Sequence, residues 1–91
     1  MAESKSKYIP PKTVEPNHQD FLKDIGRKLE KLRNSKGWTA DQLAKQFKIS
    51  RNSYRLMERG ETYFNLYKFL SILEKHGIDF QTFMNTDEKD L

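Results

Sequence analysis

The segment RNSYRLMER, residues 51–59, holds Arg51, Asn52, Arg55 and Arg59 in a stretch short enough for one helix. A guanidinium offers a rigid fork of N–H donors that can meet a phosphate or a guanine edge in bidentate fashion, and an Asn amide can do the same to adenine. The set therefore suits a polyanion partner whose surface carries both phosphates and base edges. The plainer alternative is a solvated basic face paired with nearby carboxylates. Covalent chemistry has little to work with. The chain has no Cys, hence no thiolate nucleophile, thiolate metal site or disulfide framework. His18 and His76 are far apart in sequence, and neither stands in an H-x-x-x-H or H-E-x-x-H setting. No catalytic residues, metal ligands or cofactor are expected, and an enzyme is the least favoured class.

Those four side chains act together only if one element turns them to the same side. Ser50 precedes Arg51 as a helix cap, Ile49 and Tyr54 flank it as an apolar clamp, and Gly60 supplies the stop. Tyr54 must point inward to meet Ile49. Met57 lies about 60° from it on the helical wheel, so the opposite face carries Arg51, Asn52, Arg55 and Arg59, with Leu56 at its edge. The same signature stands just upstream. Trp38 and Leu43 clamp a start at Thr39, and Thr39 with Gln42 makes a capping box for a helix over about Ala40 to Phe47. Its inward residues are Leu43, Ala44 and Phe47. Two starts this close leave room for one short helix and a tight turn, the spacing of a helix-turn-helix.

Three more helices complete the expected fold. The first runs from about His18 to Lys36, capped by Asn17, with Phe21, Ile25, Leu29 and Leu32 as an apolar stripe widened by Leu22. Lys23, Lys28 and Lys31 fall outside that stripe. A fourth helix spans about Leu66 to His76 behind the Phe64–Asn65 start, with Leu66, Phe69, Leu70, Ile72 and Leu73 inward. A short fifth follows Ile78 and Asp79, with Phe83 inward. No strand pattern appears. The expected organisation is a flexible N-terminal arm over residues 1–16, an all-α, compact five-helix domain over 17–85, and a frayed acidic tail over 86–91 (TDEKDL). The arm holds Lys residues that could reach a phosphate or simply stay disordered.

Charge sharpens the reading. Residues 17–60 hold eleven Lys or Arg against five Asp or Glu, whereas residues 61–91 hold three against six. The basic charge thus belongs to the segment with the two adjoining helix starts, as a polyanion partner requires. No apolar run approaches the ~20 residues needed to cross a bilayer, and no signal-peptide core is visible, so a cytoplasmic protein without a membrane partner is expected.

From about Leu22 to Met84 the chain resembles the Cro/CI-type (Xre family) helix-turn-helix domain of phage repressors and many small bacterial regulators, the lambda-repressor-like fold. The matching positions are Leu32-Arg33, Gly37, T-x-x-Q-L-A at Thr39 to Ala44, I-S-R-N-S at Ile49 to Ser53, E-R-G at Glu58 to Gly60, and Gly77-Ile78 followed by Phe83. The resemblance implies binding of double-stranded DNA, commonly as a homodimer on a two-fold symmetric operator, with the third helix in the major groove. It places Arg51, Asn52 and Leu56 where such proteins read bases, and Thr39, Ser53 and Arg55 where they hold the backbone. Lys45 and Arg59 are further candidate backbone contacts. Arg33 and Glu58 match a structural ion pair between the first and third helices. A dimer of the family kind would use the fourth and fifth helices and the turn between them, Phe80 especially.

Four positions depart from the pattern. Ala40 replaces a Gln that reaches phosphate, and Lys48 stands where the turn usually has Gly. Leu56 replaces a polar reader, and Phe64 a frequent Pro. Tyr63, Phe64 and Tyr67 together place unusual aromatic area between the third and fourth helices. The leading expectation is a sequence-specific transcriptional regulator. Its main rival is a protein-interaction module, such as an antitoxin of a toxin–antitoxin pair that also binds DNA. An RNA binder is disfavoured, because no RNA-binding aromatic motif is present.

Overall fold

A computed structural model describes residues 13–91, and everything below concerns those residues. Most of the expected N-terminal arm, residues 1–12, lies outside them. Five helices follow in order: α1 (Pro16–Ser35), α2 (Ala40–Gln46), α3 (Arg51–Arg59), α4 (Leu66–Lys75) and α5 (Phe80–Asn85), then a 3-10 turn (Glu88–Asp90). There is no strand among them.

Four of the five helix starts are built as their local sequences dictate. Thr39 Oγ1 accepts from the Gln42 N–H while the Gln42 side chain accepts from the Thr39 N–H, the reciprocal capping box. Ser50, Asn65 and Asp79 accept from the N–H groups of Ser53, Lys68 and Thr82 at 3.0, 3.0 and 2.8 Å. The start of α1 differs from expectation. Asn17 is not the cap; Glu15 occupies that position without a side-chain bond, and Pro16 is the first helical residue. Proline suits that site because its φ is preset and its missing N–H has no partner there in any case.

The core gathers Leu29, Leu43, Tyr54, Ile72, Leu73 and Phe83, each essentially fully buried, with Ile25, Leu32, Ala44, Met57 and Phe69 around them. Burial of side chains of this size contributes about 1.5–3 kcal/mol each, the main force holding five short elements together.

The helix faces depart from the sequence reading in three places. Phe21 heads the expected α1 stripe yet is 57% exposed. Its neighbour Leu22 is buried instead, so at this turn the buried face of α1 lies about 100° away from Phe21 on the helical wheel. Leu66 and Leu70, expected inward, are 64% and 43% exposed. The apolar stripe of α4 is wider than the surface covering it, and Leu70 lies about 100° from buried Phe69 on the helical wheel. Lys28, expected outside the stripe, is buried. Its Nζ donates to the carbonyls of Phe83 and Met84 at 3.2 Å each and lies 5.6 Å from the Phe83 ring centroid. A buried ammonium needs such partners, and these also satisfy orphan carbonyls at the carboxyl end of α5.

Two glycines let α1 and α3 close on each other. A Cβ at Gly26, in the middle of α1, would collide with the Glu58 carbonyl oxygen and come within 2.8 Å of the Met57 carbonyl. A Cβ at Gly60 would sit 2.5 Å from Lys23 Cα, and Gly60 also adopts φ 69°. The C-terminal residues lie against the body. Arg27 Nε donates to Glu88 at 3.1 Å, and Leu91 packs on the core.

Candidate nucleic-acid interface

The turn between α2 and α3 comprises Phe47 to Ser50. Lys48 takes φ 56°, the sole positive φ among the described non-glycine residues. This is the position where glycine would be at no steric cost. The Ile49 N–H donates to the Ala44 carbonyl at 3.0 Å, closing the turn. Lys68 Nζ reaches over from α4 to donate to the Phe47 carbonyl at 3.2 Å, a brace the sequence did not reveal. With the turn so held, Ser50 starts α3 and Tyr54 enters the core at 0% exposure. Burial, together with the Glu58 carboxylate, pushes the Tyr54 phenol well above its ordinary pKa, so it stays neutral.

At one edge of α3, Arg33 ties α1, α3 and the α1–α2 connection together. Its Nε and Nη2 donate to the two oxygens of Glu58 at 2.7 and 3.1 Å, and Nη1 donates to the Trp38 carbonyl at 2.9 Å. The two side chains are only 14% and 9% exposed. Glu58 in turn raises the Arg33 pKa further, keeping the guanidinium charged.

In front, Arg51, Asn52, Ser53, Arg55 and Arg59 are exposed and Leu56 is half-buried, while Tyr54 and Met57 fill the opposite side. Thr39, Arg55 and Arg59 share one open cleft of about 400 Å³, which the Arg33–Glu58 pair also lines. Lys45 is exposed on α2 and does not line that cleft. The Ser53 hydroxyl accepts from Ser50 Oγ at 2.9 Å, so it is partly occupied by the start of its own helix. Leu56 lies between two grooves, one shared with Tyr63 and Lys68, the other with Val14 and Gly60.

Two carboxylates face these cations. Asp41 Oδ2 stands 3.4 Å from Arg51 Nη1, and Glu61 Oε1 stands 3.8 Å from Arg59 Nη1. Sequence reasoning missed both, since neither spacing marks a pair within one helix. The aromatic trio divides. Phe64 packs on Phe69 with ring centroids 5.3 Å apart, whereas Tyr67 is 79% exposed. The Tyr63 hydroxyl accepts from the Glu15 N–H and lies 2.6 Å from His18 Nδ1, docking the start of α1 on the α3–α4 loop.

Two short helices packed together across a tight turn, the second presenting a basic outer face, define a helix-turn-helix protein. A helix-turn-helix family model matches residues 29–83, more than half of the chain. The chain therefore belongs to the helix-turn-helix family of the Cro/CI (Xre) type, a family of DNA-binding transcription regulators. No curated protein matches it. Among the described residues, no helix is long and apolar enough to cross a membrane, and no group of three or more His, Asp or Glu could hold a metal ion.

Proposed function

We propose that this protein binds duplex DNA sequence-specifically, with α3 in the major groove, and regulates transcription by occupying or recruiting at a promoter. One observation carries the reading: Arg51, Asn52, Arg55 and Arg59 are all exposed on α3 while Tyr54 and Met57 anchor its other side. In this reading Arg51 and Asn52, in the first turn, contact base edges, and Leu56 meets a thymine methyl. Thr39, Lys45, Ser53, Arg55 and Arg59 hold phosphates and supply salt-dependent affinity. Such a role belongs in the compartment that holds the DNA, in keeping with a cytoplasmic protein.

We further propose a homodimer. Tyr67, Leu70 and Phe80 are exposed large side chains that border one open groove between α4 and α5. Apolar area grouped in this way suits a protein interface. A two-fold dimer would set two recognition helices ~34 Å apart, one duplex turn. The same surface supports the second reading, a module that binds a different protein, as an antitoxin binds its toxin.

Selection of bound sequences from random duplex DNA at two salt concentrations tests the proposal. A palindromic motif is expected, with affinity falling steeply as salt rises. Absence of any enriched sequence would overturn it in favour of the interaction module.

A further inference from the structure

The exposed ion pair between α2 and α3 suggests a positioning role that the reading of α3 alone does not contain. Asp41 is the second residue of α2, and its Oδ2 lies 3.4 Å from Nη1 of Arg51, the first residue of α3. Both side chains are more than half exposed, so the contact is made at the surface that would meet DNA. Asp41 is not used to cap its own helix, because Thr39 and Gln42 already complete the capping box. Nor does its neighbour supply a polar group, since α2 opens with Ala40. A carboxylate on a surface that approaches phosphates works against affinity. It also holds a guanidinium more strongly than an uncharged acceptor would.

A free arginine on α3 can swing to either a phosphate or a base, because its fork satisfies both. Asp41 on the adjoining helix engages Arg51 through the Nη1 nitrogen alone, which leaves the Nε–H and one Nη2–H of the guanidinium as a parallel pair of donors facing away from it. Two parallel N–H donors held in one plane match the O6 and N7 acceptors of guanine, whereas adenine offers one acceptor and one donor there. We infer that Asp41 is a positioning residue that holds Arg51 for guanine, trading non-specific affinity for selectivity at one base pair. This rests on the reading that Arg51 meets a base edge.

The test uses the full chain and its own selected motif. Affinity is measured for duplexes carrying each of the four base pairs at the position that Arg51→Ala relaxes. The guanine preference there is expected to fall about ten-fold in Asp41→Asn, while binding to unrelated duplex tightens. Asp41→Glu should restore part of the preference. In an Arg51→Ala background, Asp41→Asn should leave the base profile unchanged, the signature of a role exerted through Arg51. Parental guanine preference in Asp41→Asn would overturn the inference while leaving the reading of α3 intact. A carboxylate in a first turn also suits the helix dipole, so thermal midpoints are measured in parallel. Uniform loss of binding with a lowered midpoint would assign Asp41 to helix stability and overturn the inference. If Arg51→Ala relaxes no position at all, the reading of Arg51 itself fails and takes this inference with it.

Discussion

Lys48 shows how a single residue can record the cost of a turn. Its φ of 56° is one that a side chain with a Cβ adopts at a penalty of about 1–2 kcal/mol, which glycine escapes. Glycine also loses more backbone entropy on folding, roughly 0.5–1 kcal/mol, so the two effects partly offset. Lys48→Gly is expected to stabilise the fold by about 0.5–1 kcal/mol. Denaturant midpoints at unchanged m-value measure this, and a lower midpoint would show that the turn gains more from Lys48 than strain costs it. At the reading surface the residue-scale contrast lies between Arg51 and Lys45. Arg51→Ala should relax preference at one base position by about 1–3 kcal/mol, whereas Lys45→Ala should weaken all sequences alike and reduce the salt slope by ~1. Equilibrium titrations against matched and mismatched duplexes separate them; a sequence-dependent loss in Lys45→Ala contradicts a phosphate contact.

Among the elements, α3 is held from behind more firmly than from the side. Gly26 and Gly60 admit α1 to backbone contact, and Arg33 clasps Glu58 with two bonds in a site nearly closed to water. Breaking one partner of such a pair strands the other, at a cost of about 3–5 kcal/mol when the site is fully buried. Glu58→Ala is expected to cost about 3 kcal/mol, read by chemical denaturation, and a loss below about 1 kcal/mol would place the pair with ordinary surface bridges. At the end of α4, His76 is buried beside Trp38, and its Nδ1 donates to the Ile72 carbonyl at 2.8 Å, leaving Nε2 without a partner among the described residues. Burial, aided by the charges of Lys36 and Lys75, lowers its pKa from 6.5. The unfolded chain therefore binds a proton here before the folded chain does. Stability from this group is complete above about pH 6.5 and declines as pH falls toward the lower folded value. His76→Leu should flatten stability between pH 7 and 5; an unchanged slope would show that His76 is not the group responsible.

Assembly is decided at the scale of the whole molecule. Charge separates along the chain, with the basic excess in residues 17–60 and the acidic excess in 61–91. The basic part forms α1 to α3 and the apolar groove lies on α4 and α5, so the proposed DNA surface and the proposed dimer surface are on different elements. A dimer could therefore form without covering α3. Phe80→Glu would desolvate a carboxylate in that interface, and sedimentation should show a shift from dimer to monomer with the helical circular dichroism retained. Dimers persisting unchanged in Phe80→Glu would move the interface elsewhere; a monomeric parent would leave the groove to a different protein.

Much of this was legible because the signals are local. Caps at Thr39, Ser50, Asn65 and Asp79 act within one turn of their own helix, so residue type and a spacing of three suffice to place them. Tyr54 likewise orients α3, because its clamp partner Ile49 is close in sequence. What stayed hidden depends on which element happens to lie alongside. The same helical period places Phe21 on the stripe and Lys28 off it, yet α5 covers Lys28 and nothing comparable covers Phe21. Leu66 and Leu70 read as core because α4 is broadly apolar, and only the narrower contact with its neighbours leaves them exposed. The pairing of Arg51 with Asp41 and the close approach at Gly26 have no signature in either helix alone. The sequence by itself determined five helices, the starts of α2 to α5 and the exposed basic face of α3, since each rests on short-range hydrogen bonds and periodicity. The tertiary structure decided how tightly α1 backs α3, which apolar side chains remain outside and which carboxylate stands beside Arg51, because these depend on distances between segments that no local pattern encodes.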